Sequence, residues 1–289
     1  MMMKFETLGS DLGYLEGPVH LTDGTVAFTA VDRGCVYRLR GEDVAVFASP
    51  GGGPNGAAVG EDGTIFIAQN GGRRPAPKQR EISGGVQAIR PDGRVETITT
   101  DPVASNDLCF GPDGRLYVTD PTLPRARHDG RIWRVDPETG DAELLGSTNW
   151  FPNGIGFNRS GDLYVAAMDL QQILVVPIED DVLSTPHLLV QMEYGYPDGF
   201  AFDVDGNLIV AAVSIDSGAG QLQVYDPAGS LLDVIEPGNS AHYTNVALSP
   251  SGVLVVTDAS GGQLLRTDWP TRGLPLYTER VAVRGSSPR

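Results

Sequence analysis

SNDLCFGPDGRLYVTDP (105–121) decides the fold. An amide and a carboxylate, Asn106 and Asp107, precede a short apolar run. A GPDG turn follows, and then RLYVTD (115–120), a run with the alternation and β-branching of a strand. The same module recurs. Its opening reads LEGPVH around Glu16, GPNGAAV around Asn55, FPNGIGF around Asn153, YPDGFAF around Asp198 and YTNVAL around Asn245. In the last five modules the turn is EDG, PDG, RSG, VDG or PSG. The second strand is TIFIA, RLYVTD, DLYVAA, NLIVAA or VLVVTD. Successive anchors are 39, 51, 47, 45 and 47 residues apart. A period of roughly 40–50 residues built from short strands marks a β-propeller. Six repeats predict a single all-β domain over 1–289: six blades of four antiparallel strands, without a substantial helix.

Within a blade the strands run A to D from the axis outward. The third blade reads LCF (108–110), RLYVTD (115–120), RIWRVD (131–136) and DAELLG (141–146). Antiparallel strands put the D–A and B–C loops on one face, the mouth, and the anchors end the D–A loops. The long B–C loops, 69–85 and 121–130, therefore rim the mouth. They carry Arg73, Arg74, Arg125, Arg127 and His128. Residues 1–8 and 274–283 are strand-like and left over, and together they are expected to complete the last blade.

The formal net charge of -16 repels nucleic-acid backbones and anionic membranes, so neither is an expected partner. Cys35 and Cys109 are the only cysteines and would have to bridge two blades. Reduced thiols in a cytoplasmic protein are the simpler reading. MMMKFETLGSDLG lacks the apolar centre of a signal peptide, and no apolar stretch approaches the roughly 20 residues that span a bilayer. There is no Gly-x-Ser-x-Gly elbow and no nucleotide-binding glycine pattern.

Each anchor begins an innermost strand, so all six face one axis. Glu16, flanked by apolar residues, is nearly buried there, and a buried carboxylate needs a partner. No Lys or Arg is among the anchors. An axial cation is the simplest partner. Glu16 and Asp198 with Asn106 and Asn153 form an all-oxygen set suited to Ca²⁺, with Mg²⁺, Mn²⁺ or Zn²⁺ open. Asn and Asp before Gly are also ordinary turn formers, so each anchor has a bland reading. Asn55 and Asn245 are placed in the pocket without touching the ion.

These motifs resemble those of the senescence-marker-protein/gluconolactonase/luciferin-regenerating-enzyme (regucalcin-like) family. EGPV, PNGAAV, SNDLCFGPDGRLYVTDP, FPNGIGF and PDGFAFDVDGNL carry the resemblance over nearly the whole chain. It implies a six-bladed propeller with one divalent cation, held by Glu16, Asn153, Asp198 and Asn106, and hydrolysis of lactones. Several members carry Arg two residues before the Asn that matches Asn106. This chain has Ala104 there, which favours a less polar lactone or ester over a sugar lactone.

The expected reaction is metal-dependent hydrolysis of a small-molecule lactone, with Asp198 as ligand and general base, or as nucleophile. Asp120 is a second catalytic candidate, orienting water or substrate, and equally a cap for its own loop. Asn55, Asn106, Asp107, His128, Trp150 and His242 are the substrate-binding candidates. Asp107 doubles as a support for its neighbour, and Trp150 and Phe151, just before Asn153, are pocket-wall candidates that read equally as inter-blade packing. An aryl-ester or organophosphate hydrolase on the same scaffold is the nearest alternative. A non-catalytic ligand-binding propeller, and a strictosidine-synthase-like condensing enzyme, are the others.

Overall fold

The computed structural model describes residues 3–72, 82–122, 129–215 and 218–278. Six four-stranded antiparallel sheets form a closed ring, and no long helix occurs among the described residues. The first blade runs Leu15–His20, Val26–Ala30, Cys35–Arg40 and Asp43–Ala48 from the axis outward. The other innermost strands are Pro54–Val59, Leu108–Phe110, Pro152–Phe157, Tyr196–Phe202 and Tyr243–Leu248. Each contacts the two innermost strands that flank it. A small hairpin, Ile178–Glu179 with Val182–Leu183, interrupts the fourth blade before its outermost strand. The third-blade strands begin and end within two residues of their sequence-based limits.

Second strands such as Ile65–Gln69 and Leu163–Ala167 are buried throughout, because a blade packs neighbours on both faces. The core is accordingly six wedges, one in each gap between blades. Val19, Ala27 and Val36 meet Ile65, Ile67 and Ile89 in the first gap. Tyr117, Ile132 and Leu145 meet Ile155, Phe157 and Val165 in the third.

The ring closes through the N-terminal strand. Glu6–Gly9 is the outermost strand of the last blade, antiparallel to Gln263–Asp268. Met3, Phe5 and Leu8 pack against the adjoining wedges. Removing residues 1–9 should cost about 3 kcal/mol from these partly buried side chains. At ~2–4 °C per kcal/mol, that lowers Tm by on the order of 10 °C. A thermal melt by circular dichroism checks this; an unchanged Tm would show that the closing strand is dispensable.

Residues 279–283 lie outside the described residues, and the described part of the C-terminal tail, up to residue 278, does not join that blade, contrary to expectation. From Thr271 onward it turns across the face opposite the mouth. Leu274 N donates to Phe202 O, Tyr277 Oη to Asn158 O and Thr278 Oγ1 to Val59 O. The fourth position of the blade is already filled by Glu6–Gly9, and the tail lines the base of the central channel instead, with Leu274 buried, Tyr277 half-buried and Leu276 exposed.

Candidate active site at the propeller axis

In five of the six blades the innermost strand breaks register with its neighbour at the anchor dipeptide. Such bulges re-aim side chains, and here they turn the anchors toward the axis. Counting back from the regular pairs, Glu16, Asn55, Asn106, Asn153, Asp198 and Thr244 share one station in the six blades. Asn245 lies one residue past it. The amide in YTNVAL thus sits a step out of phase with the other anchors, and Thr244 holds the sixth position.

Threonine hydroxyls fix the backbone at this level. Thr29 Oγ1 donates to Asn55 O at 2.7 Å, Thr119 Oγ1 to Asn153 O at 2.8 Å and Thr244 Oγ1 to Leu15 O at 2.8 Å. Each bond crosses from one blade to the next, so the anchors are set by the ring itself rather than by mobile loops.

Glu16, Asn55, Asn153 and Asp198 are all buried, and Asn106 is half-buried. Burial pushes the Glu16 carboxyl well above the usual carboxylate range, and the charges of Asp198 and Asp107 push it further. The Gly17 N–H, 3.3 Å from Glu16 Oε2, and the Asn245 amide work in the opposite direction. Asp107 is raised to about 7, chiefly by burial, against hydrogen bonds from the Leu108 N–H, the Asn245 amide and the Ile155 N–H. Three carboxylates therefore converge in a dry site, and the channel lining beneath them carries no Lys or Arg among the described residues.

Among the described residues no three His, Cys, Asp or Glu side chains lie close enough to hold an ion alone. Any ion here needs amide oxygens or water as well. Asn55 supplies a pointed observation: its Oδ1 is buried without a hydrogen-bond partner. A buried acceptor with nothing to accept from is costly, and a hard cation or a water bound to one would satisfy it. Mutually repelling carboxylates, an orphaned amide oxygen and an all-oxygen donor set fit a divalent cation.

The remaining candidates divide. Asp120 is fully buried, and its carboxylate accepts the N–H groups of Val103, Ala104 and Thr122 at 3.0–3.1 Å. That geometry is a loop cap. Asp120→Ala should destabilise the protein by about 3 kcal/mol, one per lost bond. Ion affinity should change little, as parallel denaturation and ion titration would register. Trp150 packs in the wedge between the third and fourth blades. His242 is half-buried on the mouth side, its ring 6.4 Å from that of Tyr14. His128, Arg73, Arg74, Arg125 and Arg127 lie outside the described residues. Cys35 and Cys109 are unpaired thiols.

Sequence reasoning found one member of an apolar wall, Phe151, and missed the residues packed against it. Phe151, Met168 and Val213 pack together with Tyr196 on the mouth side of the fourth and fifth blades. Asn153 Nδ2 lies 3.2 Å from Met168 Sδ, so this apolar wall adjoins the anchors. Its signal was the apolar residue at the mouth end of the second strands, Met168 and Val213.

Residues 15–260 match the family model described as SMP-30/Gluconolactonase/LRE-like region. A gluconolactonase of Zymomonas mobilis is 25% identical over an alignment of 298 positions, which takes in 88% of this chain and 78% of the relative. A gluconolactonase structure from Xanthomonas campestris superposes with a TM-score of 0.77 at 20% identity, over 92% of this chain and 89% of that one. A calcium-binding regucalcin from Agrobacterium tumefaciens superposes with a TM-score of 0.76 at 19% identity, over 96% and 99%. At these identities the two structures establish the fold alone.

Proposed function

The chain belongs to the SMP-30/gluconolactonase/LRE-like family, and from that premise we propose that it hydrolyses a lactone with one divalent cation at the propeller axis. Lactonase-like activity follows from the gluconolactonase kinship. The cation requirement is carried by one observation: Glu16, Asp107 and Asp198 are buried, and the charges of Asp198 and Asp107 both disfavour ionisation of Glu16. Glu16, Asn106, Asn153 and Asp198 are the proposed ligands, and Ca²⁺ is the ion best matched to their oxygens. When bound, the cation supplies Lewis-acid polarisation of the ester carbonyl.

The chain's own residues do the rest. Asp198 takes the proton from the attacking water as general base. Asn106, the least buried of the ligands, faces the mouth and orients the lactone. Phe151, Met168, Val213 and Tyr196 form an apolar wall beside Asn153. Ala104 is buried and brings no polar side chain to the site. Both features favour a lactone bearing an apolar substituent over a polyhydroxylated sugar lactone, because a dry wall cannot satisfy hydroxyls.

Lactone opening releases acid, so a pH-indicator assay tests the proposal. Chelated protein should be inactive toward every lactone and regain activity with Ca²⁺, Mg²⁺ or Mn²⁺, faster on alkyl-substituted rings than on sugar lactones. Turnover of aryl esters or phosphotriesters with no lactone activity would move the reaction to the alternative hydrolase. Full activity after exhaustive chelation would sink the cation.

A further inference from the structure

One station below the anchors, four blades carry glycine: Gly17, Gly56, Gly154 and Gly199. Only the third and sixth blades carry side chains there, Asp107 and Asn245. In a ring of six these two blades face each other across the axis. Asn245 Nδ2 donates to Asp107 Oδ2 at 3.4 Å. The pair fills the space the glycines leave: a Cβ at Gly56 would lie 2.0 Å from Asp107 Oδ1, and one at Gly199 2.0 Å from the Asn245 amide carbon.

The orientation of the Asn245 amide is determined. Its Oδ1 accepts the Val246 N–H at 2.8 Å, which turns the NH₂ toward the carboxylates. That group donates to Asp107, and the same amide favours the ionised form of Glu16. Asp107 is held from its own side, with Oδ1 accepting the Leu108 N–H at 2.8 Å. Beneath the pair lies a cavity of about 150 Å³. Its walls include Phe110, Phe157, Phe200 and Phe202, and the tail from Leu274 to Thr278 lines its far end.

We propose that Asp107 and Asn245 form a crossbar, which holds the Glu16 carboxylate in one orientation and closes the floor of the mouth pocket over the cavity beneath. Asn245 is a positioning residue in this scheme. Its amide offers donors where the station above offers mostly acceptors, so it orders Glu16 without competing for a cation. The two glycine-flanked levels then divide the work: the upper ring binds and the lower ring seals. The part that concerns the cation rests on the function proposed above; the crossbar itself does not.

The test has an ion-free arm and an ion arm. Asp107→Gly and Asn245→Gly introduce a residue that four blades already carry at this level, and Asn245→Asp keeps the shape while removing the donor. In ion-free protein the double glycine variant should be destabilised by clearly less than the two singles combined, since the second change removes a bond already lost. The Asn245 side-chain amide protons should exchange slowly with solvent, and Asp107→Gly should speed them. Additive stabilities together with fast amide exchange in the parent overturn the crossbar. In the ion arm, a lanthanide luminescence titration should show roughly 10–100-fold weaker binding in Asn245→Gly, the usual loss when a group supporting a ligand is removed. Asn245→Asp should differ from Asn245→Gly although both fold. Unchanged lanthanide affinity in both overturns the positioning of Glu16. Failure of the parent to bind any ion overturns the cation reading instead, and the crossbar is then judged by the ion-free arm.

Discussion

Asp198→Ala should reduce lactone hydrolysis by roughly 10³-fold or more, the scale seen when a group that stabilises charge at the reacting centre is removed. Two losses compound in this variant. One is the proton acceptor for the attacking water. The other is one of two carboxylates among the four proposed ligands, so ion affinity falls as well. Asp198→Asn separates them. The amide retains an oxygen for the ion and nearly the same volume, but it cannot accept a proton at neutral pH. The Asn variant should therefore bind the ion far better than the Ala variant, yet turn over about as slowly at saturating ion. Stopped-flow rates at several ion concentrations, with a direct binding isotherm, distinguish the cases. Recovery of Asp198→Asn to parental kcat at high ion concentration would leave Asp198 as a ligand alone and require another base.

The fold was legible because the repeat is carried by residues whose physics is local. PDG-type turns, short apolar strands and the anchor dipeptides recur in phase, and a blade needs little beyond its neighbours to be recognised. The convergence of Glu16 and Asp198 was legible for the same reason: a module placed once is placed six times. What the pattern could not reveal are departures at single stations. Asn245 looked like a sixth anchor because it is an amide in an anchor-like setting, and only strand register shows Thr244 in that place. Asp120, at the end of a strand beside the mouth, reads equally as a catalytic group or a loop cap, and its oxygens turn to the backbone N–H groups of Val103 and Ala104 before it and Thr122 after it. That choice depends on tertiary geometry. The strand-like composition of the tail says what that segment can bury, not where. Glu6–Gly9 already fills the blade edge, and residues 274–278 line the channel base instead.

Stripped of divalent ions, the protein should lose stability as pH rises, and added Ca²⁺ should reverse the trend. The sign follows from the direction of the shifts. A carboxyl whose value is raised by folding holds its proton more tightly in the folded state than in the unfolded chain. Over the interval between the two values the folded state binds more protons, so raising the pH works against folding. For Asp107 the interval runs from 3.8, its ordinary value, to about 7. Its full traverse corresponds to on the order of 4 kcal/mol. Glu16, also raised, acts in the same direction. A cation at the axis inverts the balance, because it binds the ionised site and stabilises the fold by mass action, increasingly as the carboxylates lose their protons. Thermal melts in chelator at pH 5.5, 7 and 8.5 should therefore fall in Tm, while melts in millimolar Ca²⁺ should not. Asp107→Asn isolates the local part. The amide cannot ionise, so the variant should lose stability less steeply with pH than the parent in chelator. Parallel slopes for variant and parent would remove Asp107 from the account, and a parent that is flat from pH 5.5 to 8.5 in chelator would mean the axial carboxylates are compensated by the protein alone.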